Sequence, residues 1–167
     1  MKARNHDFAI EEVNSDNFSH FLNLIDELAE FEKLMPPDSA AKERLKHDCL
    51  GKSPKYRAFL GKAGSEYASY VIYYFTYSSF LALQTFYLED IFVLQEFRKS
   101  GMGRKMFSRC VEIASEKECG RMEWSVLKWN ENAIKFYERI GARQLDEWAT
   151  YRMDKSQIRK YADSLGK

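Results

Sequence analysis

Among its 167 residues the sequence has no apolar run long enough to cross a bilayer; a spanning helix needs about 20 apolar residues in succession. The first residues, Met1 to Phe8, are polar and lack the apolar stretch of a secretory leader. Cysteine is scarce. Cys49, Cys110 and Cys119 are odd in number and irregular in spacing, which argues against a disulfide framework and for a reducing, cytoplasmic setting. No CxxC pair is present, and His6, His20 and His47 are scattered, so no metal site is expected. An excess of one charge is missing too. The 26 basic and 25 acidic residues leave a net charge of +1, which argues against a general nucleic-acid binder, whose basic face is concentrated. No repeat, low-complexity tract or linker interrupts the chain. What remains is 45% hydrophobic and 31% charged residues, the make-up of a globular protein, with one domain expected over residues 1–167.

Phe8 to Val13 reads as a first strand. Asn14 or Ser15 offers a cap for a helix in which Phe18, Phe21, Leu22, Ile25, Leu28 and Ala29 recur at helical spacing, until Met35-Pro36-Pro37 ends it. A second short helix is expected from Ser39 to Leu50. Tyr56 to Lys62 and Tyr67 to Tyr77 read as a strand pair, and Thr85 to Val93 as a further strand. A helix from Gly103 to about Glu118, a strand from Arg121 to Leu127, and a helix from Asn132 to Ile140 stopped by Gly141 follow. A last strand is expected over Leu145 to Asp154, then a polar C-terminal helix. The order is mixed α/β, with hairpin strands first.

The segment from Leu88 to Lys105 holds the strongest signal. A strand passes through Arg98-Lys99-Ser100-Gly101-Met102-Gly103 into an amphipathic helix. The glycines let the backbone approach a ligand, and the helix N-terminus, with Arg98, Lys99 and Arg104, suits a pyrophosphate. A plain tight turn would use the same glycines. A dinucleotide fingerprint fails, because Met106 stands where its third glycine belongs. Glu89 and Asp90, adjacent acids in the apolar strand Thr85 to Val93, call for a partner.

Arg98 to Gly103 resembles the R/Q-x-x-G-x-G/A motif of the GNAT acetyltransferase superfamily. Trp129 to Ala142 resembles that superfamily's N-x-x-A-x-x-x-Y-x-x-x-G-[AF] helix. Glu27 to Glu32, Tyr73 to Ser78, Tyr87 to Val93 and Trp129-Asn130-Glu131 are similar to segments of its spermidine/spermine (diamine) N-acetyltransferase branch. Two departures from the branch stand out. Lys128 takes a position usually acidic, and Phe31 one usually held by tyrosine in polyamine enzymes. Those enzymes also carry an acid ahead of the last strand, where Asp146 and Glu147 are nearby.

The resemblance implies a GNAT-like fold: a splayed, mostly antiparallel central sheet flanked by helices. It implies an N-acetyltransferase that uses acetyl-coenzyme A and no metal. Ile91, Phe92 and Val93 would pair with the pantetheine arm. Arg98, Lys99, Ser100, Gly101, Met102, Gly103 and Arg104 would hold the pyrophosphate, and Asn130, Ala133 and Tyr137 the rest of the arm. Tyr137 would be the general acid and Glu89 would remove the proton from the attacking ammonium. Phe31, Glu32, Glu89, Asp90, Glu123, Trp124 and Ser125 would line the amine site. A polyamine such as spermidine or spermine is the implied substrate. Thialysine, another amino acid or a protein amine is an alternative, as is an acyl-coenzyme A-binding protein without turnover. A homodimer is expected, with neither nucleic acid nor membrane as partner.

Overall fold

The computed structural model describes residues 7–166; His6 and the leading residues read above lie outside them. The chain divides into two units, one ending at Ser125 and one starting at Val126. The first contains β1 (Phe8–Glu12), α1 (Phe18–Glu32), α2 (Ser39–Leu50), β2 (Arg57–Ala63), β3 (Glu66–Ser78), β4 (Leu83–Val93), a single 3-10 turn at Gln95–Phe97, α3 (Met102–Glu116) and β5 (Arg121–Trp124). The strands form one sheet in the order β1-β2-β3-β4-β5. Every pair is antiparallel except β4 with β5, which is parallel. This is the mixed, mostly antiparallel sheet flanked by helices that the sequence implied.

Helices cover both faces, which explains why β3 is apolar on both. Phe18, Phe21 and Leu24 of α1 and Cys49 of α2 pack with Leu60, Tyr70, Ile72 and Phe92. The neighbouring residues of each strand point the other way. There Gly61 faces Met102 and Met106 of α3, and Phe107 meets Trp124 edge-on with centroids 5.4 Å apart. A Cβ on Gly61 would fall 2.7 Å from the Met106 sulfur and closer still to the Ser69 hydroxyl. Glycine here lets α3 lie flat on the sheet.

Two irregularities shape β4. Asp90 pairs with Ile72 while Leu88 pairs with Tyr73, so Glu89 is the extra residue of a β-bulge. The parallel ladder to β5 ends at Leu88 and Trp124, short of the Leu127 expected from sequence, while β4 runs on to Val93. From Glu89 to Val93, β4 has β3 on one side and no ladder partner on the other among the described residues.

The second unit contains α4 (Glu131–Arg139) and α5 (Lys155–Leu165). Asn130 caps α4, its side-chain oxygen accepting from the Ala133 N–H at 3.3 Å. Gly141, at φ 91°, ends it as expected, with the Ala142 N–H donating to the Tyr137 carbonyl. The strand expected over Leu145–Asp154 is not formed. That segment is irregular, with Trp148 and Tyr151 exposed. A strand needs a ladder partner, and this unit holds no other strand among the described residues.

Gly61→Ala is expected to cost about 1–3 kcal/mol through overpacking against Ser69 and Met106. Urea denaturation measures it; an unchanged midpoint would mean that α3 is not seated on β2 as described.

Candidate active site

The bulge sets the geometry of the two acids. Glu89, displaced from the ladder, is exposed and accepts a hydrogen bond from the Tyr74 hydroxyl at 3.0 Å. Asp90 returns to register and turns inward, accepting from the Tyr70 hydroxyl at 3.3 Å. Tyr70 is fully buried against Phe21 and Phe92. Its partner carboxyl therefore sits in a poorly solvated place. Burial, reinforced by the Glu89 charge, pushes the Asp90 pKa up to about 6, and Glu32 at the end of α1 adds to the same repulsion. Burial also raises Glu32. Burial and then Glu89 push the Tyr74 hydroxyl up to about 12, so it stays a donor. Glu89 and Glu32 thus both disfavour the ionised form of Asp90, a repulsion that a proton or a bound cation would offset.

A cavity of about 400 Å³ opens beside these acids, lined by Leu45 of α2, Lys55 and Tyr56, Ile72 and Tyr74 of β3, and Glu89 and Asp90. Leu45, Lys55, Tyr56, Ile72 and Tyr74 were not assigned to the site by sequence reading. The signal for part of this was present: Tyr70, Ile72 and Tyr74 alternate along β3, and alternate residues share a face. Their register against Glu89 and Asp90 was not.

Beyond Val93 the chain enters the glycine turn. Lys99 and Gly101 both have positive φ, 63° and 99°. Gly101 is the N-cap of α3 and brings no side chain to cap it. The first-turn N–H groups of a helix lack intrahelical acceptors. Ser100 braces the turn, its hydroxyl donating to the Phe97 carbonyl at 2.5 Å. Lys99 and Arg104 are exposed, while the Met102 side chain is buried in the core and its backbone N–H donates to the Ser100 hydroxyl at 3.4 Å. A helix N-terminus whose N-cap brings no side chain, flanked by two cations, fits an anionic group.

Arg98 is differently employed. Its Nε–H donates to the Val93 carbonyl at 2.9 Å, and its guanidinium lies 4.2 Å from the Phe31 centroid and 5.6 Å from that of Phe92. It thereby joins the glycine turn, the end of β4 and the end of α1. The structure thus brings together Phe31, Glu32, Asp90, Phe92, Val93 and Arg98. Glu123 pairs with Arg121 at 3.0 Å, Trp124 packs on Phe107, and Ser125 is exposed just past β5. In the second unit Asn130 starts α4, and Ala133 and Tyr137 are half-buried on it, Tyr137 with its ring 5.5 Å from that of Phe136.

No cluster of three or more metal-ligating side chains occurs, and no helix is long and apolar enough to cross a membrane, among the described residues. A strand edge without a ladder partner, running through a glycine turn into a helix whose N-cap brings no side chain, fits an extended ligand that ends in an anionic group. The model of the acetyltransferase (GNAT) family matches residues 21–142, and the chain belongs to that family. Thialysine N-epsilon-acetyltransferase of Caenorhabditis elegans is 34% identical over 159 residues, which cover 93% of this chain and 98% of the relative. Spermidine/spermine N(1)-acetyltransferase-like protein 1 of Homo sapiens is 27% identical over 161 residues, 90% of this chain and 23% of the relative. Among solved structures, AAC(6')-Iy in complex with the bisubstrate analog CoA-S-monomethyl-acetylneamine matches with a TM-score of 0.69 at 19% identity, covering 88% of this chain and 98% of that one. The protein is thus an acyltransferase with thialysine and, more distantly, polyamine-type relatives.

Asp90 titrates higher folded than unfolded, so its ionised form costs stability above about pH 6, and the cost fades as pH falls toward 4. Asp90→Asn is therefore expected to stabilise the protein by roughly 1–3 kcal/mol at pH 8, with the gain vanishing near pH 4. Thermal unfolding across that range tests this; a gain that grows on acidification would contradict it.

Proposed function

We propose that this chain is an acetyl-coenzyme A-dependent N-acetyltransferase of a small alkylamine, working as one domain over residues 1–167. The observation that carries the reading is the unpaired edge of β4, with exposed Glu89 and inward-turned Asp90 at one end and a helix start without an N-cap side chain at the other. The family match runs across the boundary at Ser125 and supports a single domain.

When bound, acetyl-coenzyme A supplies an activated acetyl group and a thiolate leaving group. The residues present fit it. The outward backbone groups of Ile91 and Val93 hold the pantetheine arm, with Phe92 between them paired to β3, and the family motif assigns Asn130 and Ala133 to the same ligand. Lys99, Ser100, Gly101, Met102, Gly103 and Arg104 hold the pyrophosphate through backbone N–H groups and charge, while Arg98 fixes the turn to β4. Glu89 and Asp90, with Glu32 and Phe31 behind them, attract the ammonium. Glu89 is exposed and so able to pass the ammonium proton to water, which leaves the amine neutral and nucleophilic. Tyr137 keeps a proton on its hydroxyl for the departing thiolate. Ser125 is an amine-side contact; Glu123 and Trp124 steady the end of β5 beside it.

Two amine classes suit this site. A polyamine offers several positive charges to Glu32, Glu89 and Asp90. A thialysine-type amino acid offers one side-chain ammonium, and the 34% identical relative favours it over a polyamine. Three free cysteines, Cys49, Cys110 and Cys119, support a cytoplasmic location. A homodimer is supported by Tyr77, Phe80, Leu81 and Leu83, which expose apolar surface around the β3–β4 hairpin.

The reading is tested by thiol release over thialysine, lysine, ornithine, putrescine, spermidine and spermine. Turnover with at least one amine is expected, together with a loss of about a hundredfold in kcat for Tyr137→Phe. Absence of thiol release with every amine would contradict it. Light scattering at micromolar concentration is expected to give twice the chain mass; a monomer mass would remove the dimer.

A further inference from the structure

The cavity beside Glu89 and Asp90 is not uniformly acidic. Lys55 lines it as well, together with Leu45, Tyr56, Ile72 and Tyr74. A site for a polycation alone gains nothing from an ammonium on its wall, which repels every charge along the ligand. We propose that Lys55 forms a carboxylate subsite, so that the amine acetylated here is an ω-amino acid: a chain with an ammonium at one end and a carboxylate at the other. This rests on the acetyltransferase reading above and names its substrate class.

The position of Lys55 is held by the fold. Its backbone N–H donates to the Asp48 carbonyl at 2.8 Å, and the next residue, Tyr56, donates its hydroxyl to the Leu45 carbonyl at 2.8 Å. These bonds fasten the segment leading into β2 against α2. Glu89 and Asp90 stand on β4, with β3 between. Two strand spacings put the two backbones at least about 10 Å apart. That gap suits a short methylene chain with a charge at each end, each met by an opposite side chain. The floor suits it too, because Ile72 and the Tyr56 and Tyr74 rings offer apolar surface to methylenes. Ile72 pairs with Asp90 directly across the ladder, so the apolar floor and the acid adjoin.

Lys55 already has a partner, the Asp48 carboxylate at 2.9 Å. The Lys55 side chain is 73% exposed, and an exposed ion pair of this kind is weak. The ammonium, which can donate three hydrogen bonds, is able to keep Asp48 and accept a ligand carboxylate or to exchange one for the other.

The test compares matched pairs that differ only in the carboxylate: lysine with cadaverine, and ornithine with putrescine. For the wild type, kcat/KM is expected to favour the amino acid by tenfold or more in at least one pair. Lys55→Met should bring that ratio near one by raising the amino-acid KM, with kcat/KM for the diamine unchanged or a few-fold higher. Lys55→Arg should keep the preference. A wild type that prefers the diamines, or a preference that Lys55→Met leaves intact, overturns the subsite while the acetyltransferase reading stands. Failure of all amines to release thiol overturns both.

Discussion

The ladder between β4 and β5 stops at Leu88 and Trp124, and the chemistry of the site depends on that stop. Had the two strands continued side by side, the outward backbone groups of Ile91 and Val93 would be spent on β5, as those of Phe92 are spent on β3. The bulge at Glu89 lies where the pairing ends. It turns two adjacent acids to different uses, Glu89 outward to Tyr74 and Asp90 inward to Tyr70. One extra residue in a strand thus separates an exposed carboxylate, suited to exchanging protons with water, from a buried one suited to holding a cation. The cost is borne locally. Asp90 is harder to ionise because of burial, and a ligand cation relieves that penalty by supplying the missing charge.

The turn beyond β4 is held open by similar means. Gly101 occupies a backbone conformation that side chains disfavour, and it caps α3 with no group of its own. Arg98, the first residue of the same motif, sits over Phe31 and Phe92 and bonds the Val93 carbonyl. A charged residue that sequence alone assigns to a phosphate is, in the fold, a brace between the anion-binding turn and the helix end that carries Glu32. Phe31 supplies the ring against which it stacks.

What was legible in the sequence follows from local chemistry. The glycine turn could be read because positive φ and an uncapped helix start leave a mark in residue type. Gly141 could be read because a helix end demands such a residue, and it stands where that demand places it; Asn130, singled out by the family motif alone, caps α4, whose start was expected at Asn132. Glu89 and Asp90 could be singled out because acids are rare in so apolar a strand. What depends on register could not be read. The pairing of Tyr70 with Asp90 and Tyr74 with Glu89, and the grouping of Lys55 and Leu45 around the same cavity, arise from how β2, β3, β4 and α2 align. The strand expected at Leu145–Asp154 failed for the same reason: the sequence pattern permits a strand, but only a neighbour makes one.

The central claim is that acetyl-coenzyme A lies along the free edge of β4 with its pyrophosphate at the start of α3. Backbone amide shifts measured by NMR during titration with acetyl-coenzyme A address it directly. The account predicts the largest changes at Ile91, Phe92 and Val93 and from Gly101 to Arg104, with the β1–β2 edge of the sheet unmoved. Changes absent from both segments at saturating ligand, or concentrated on β1 and β2, would contradict it.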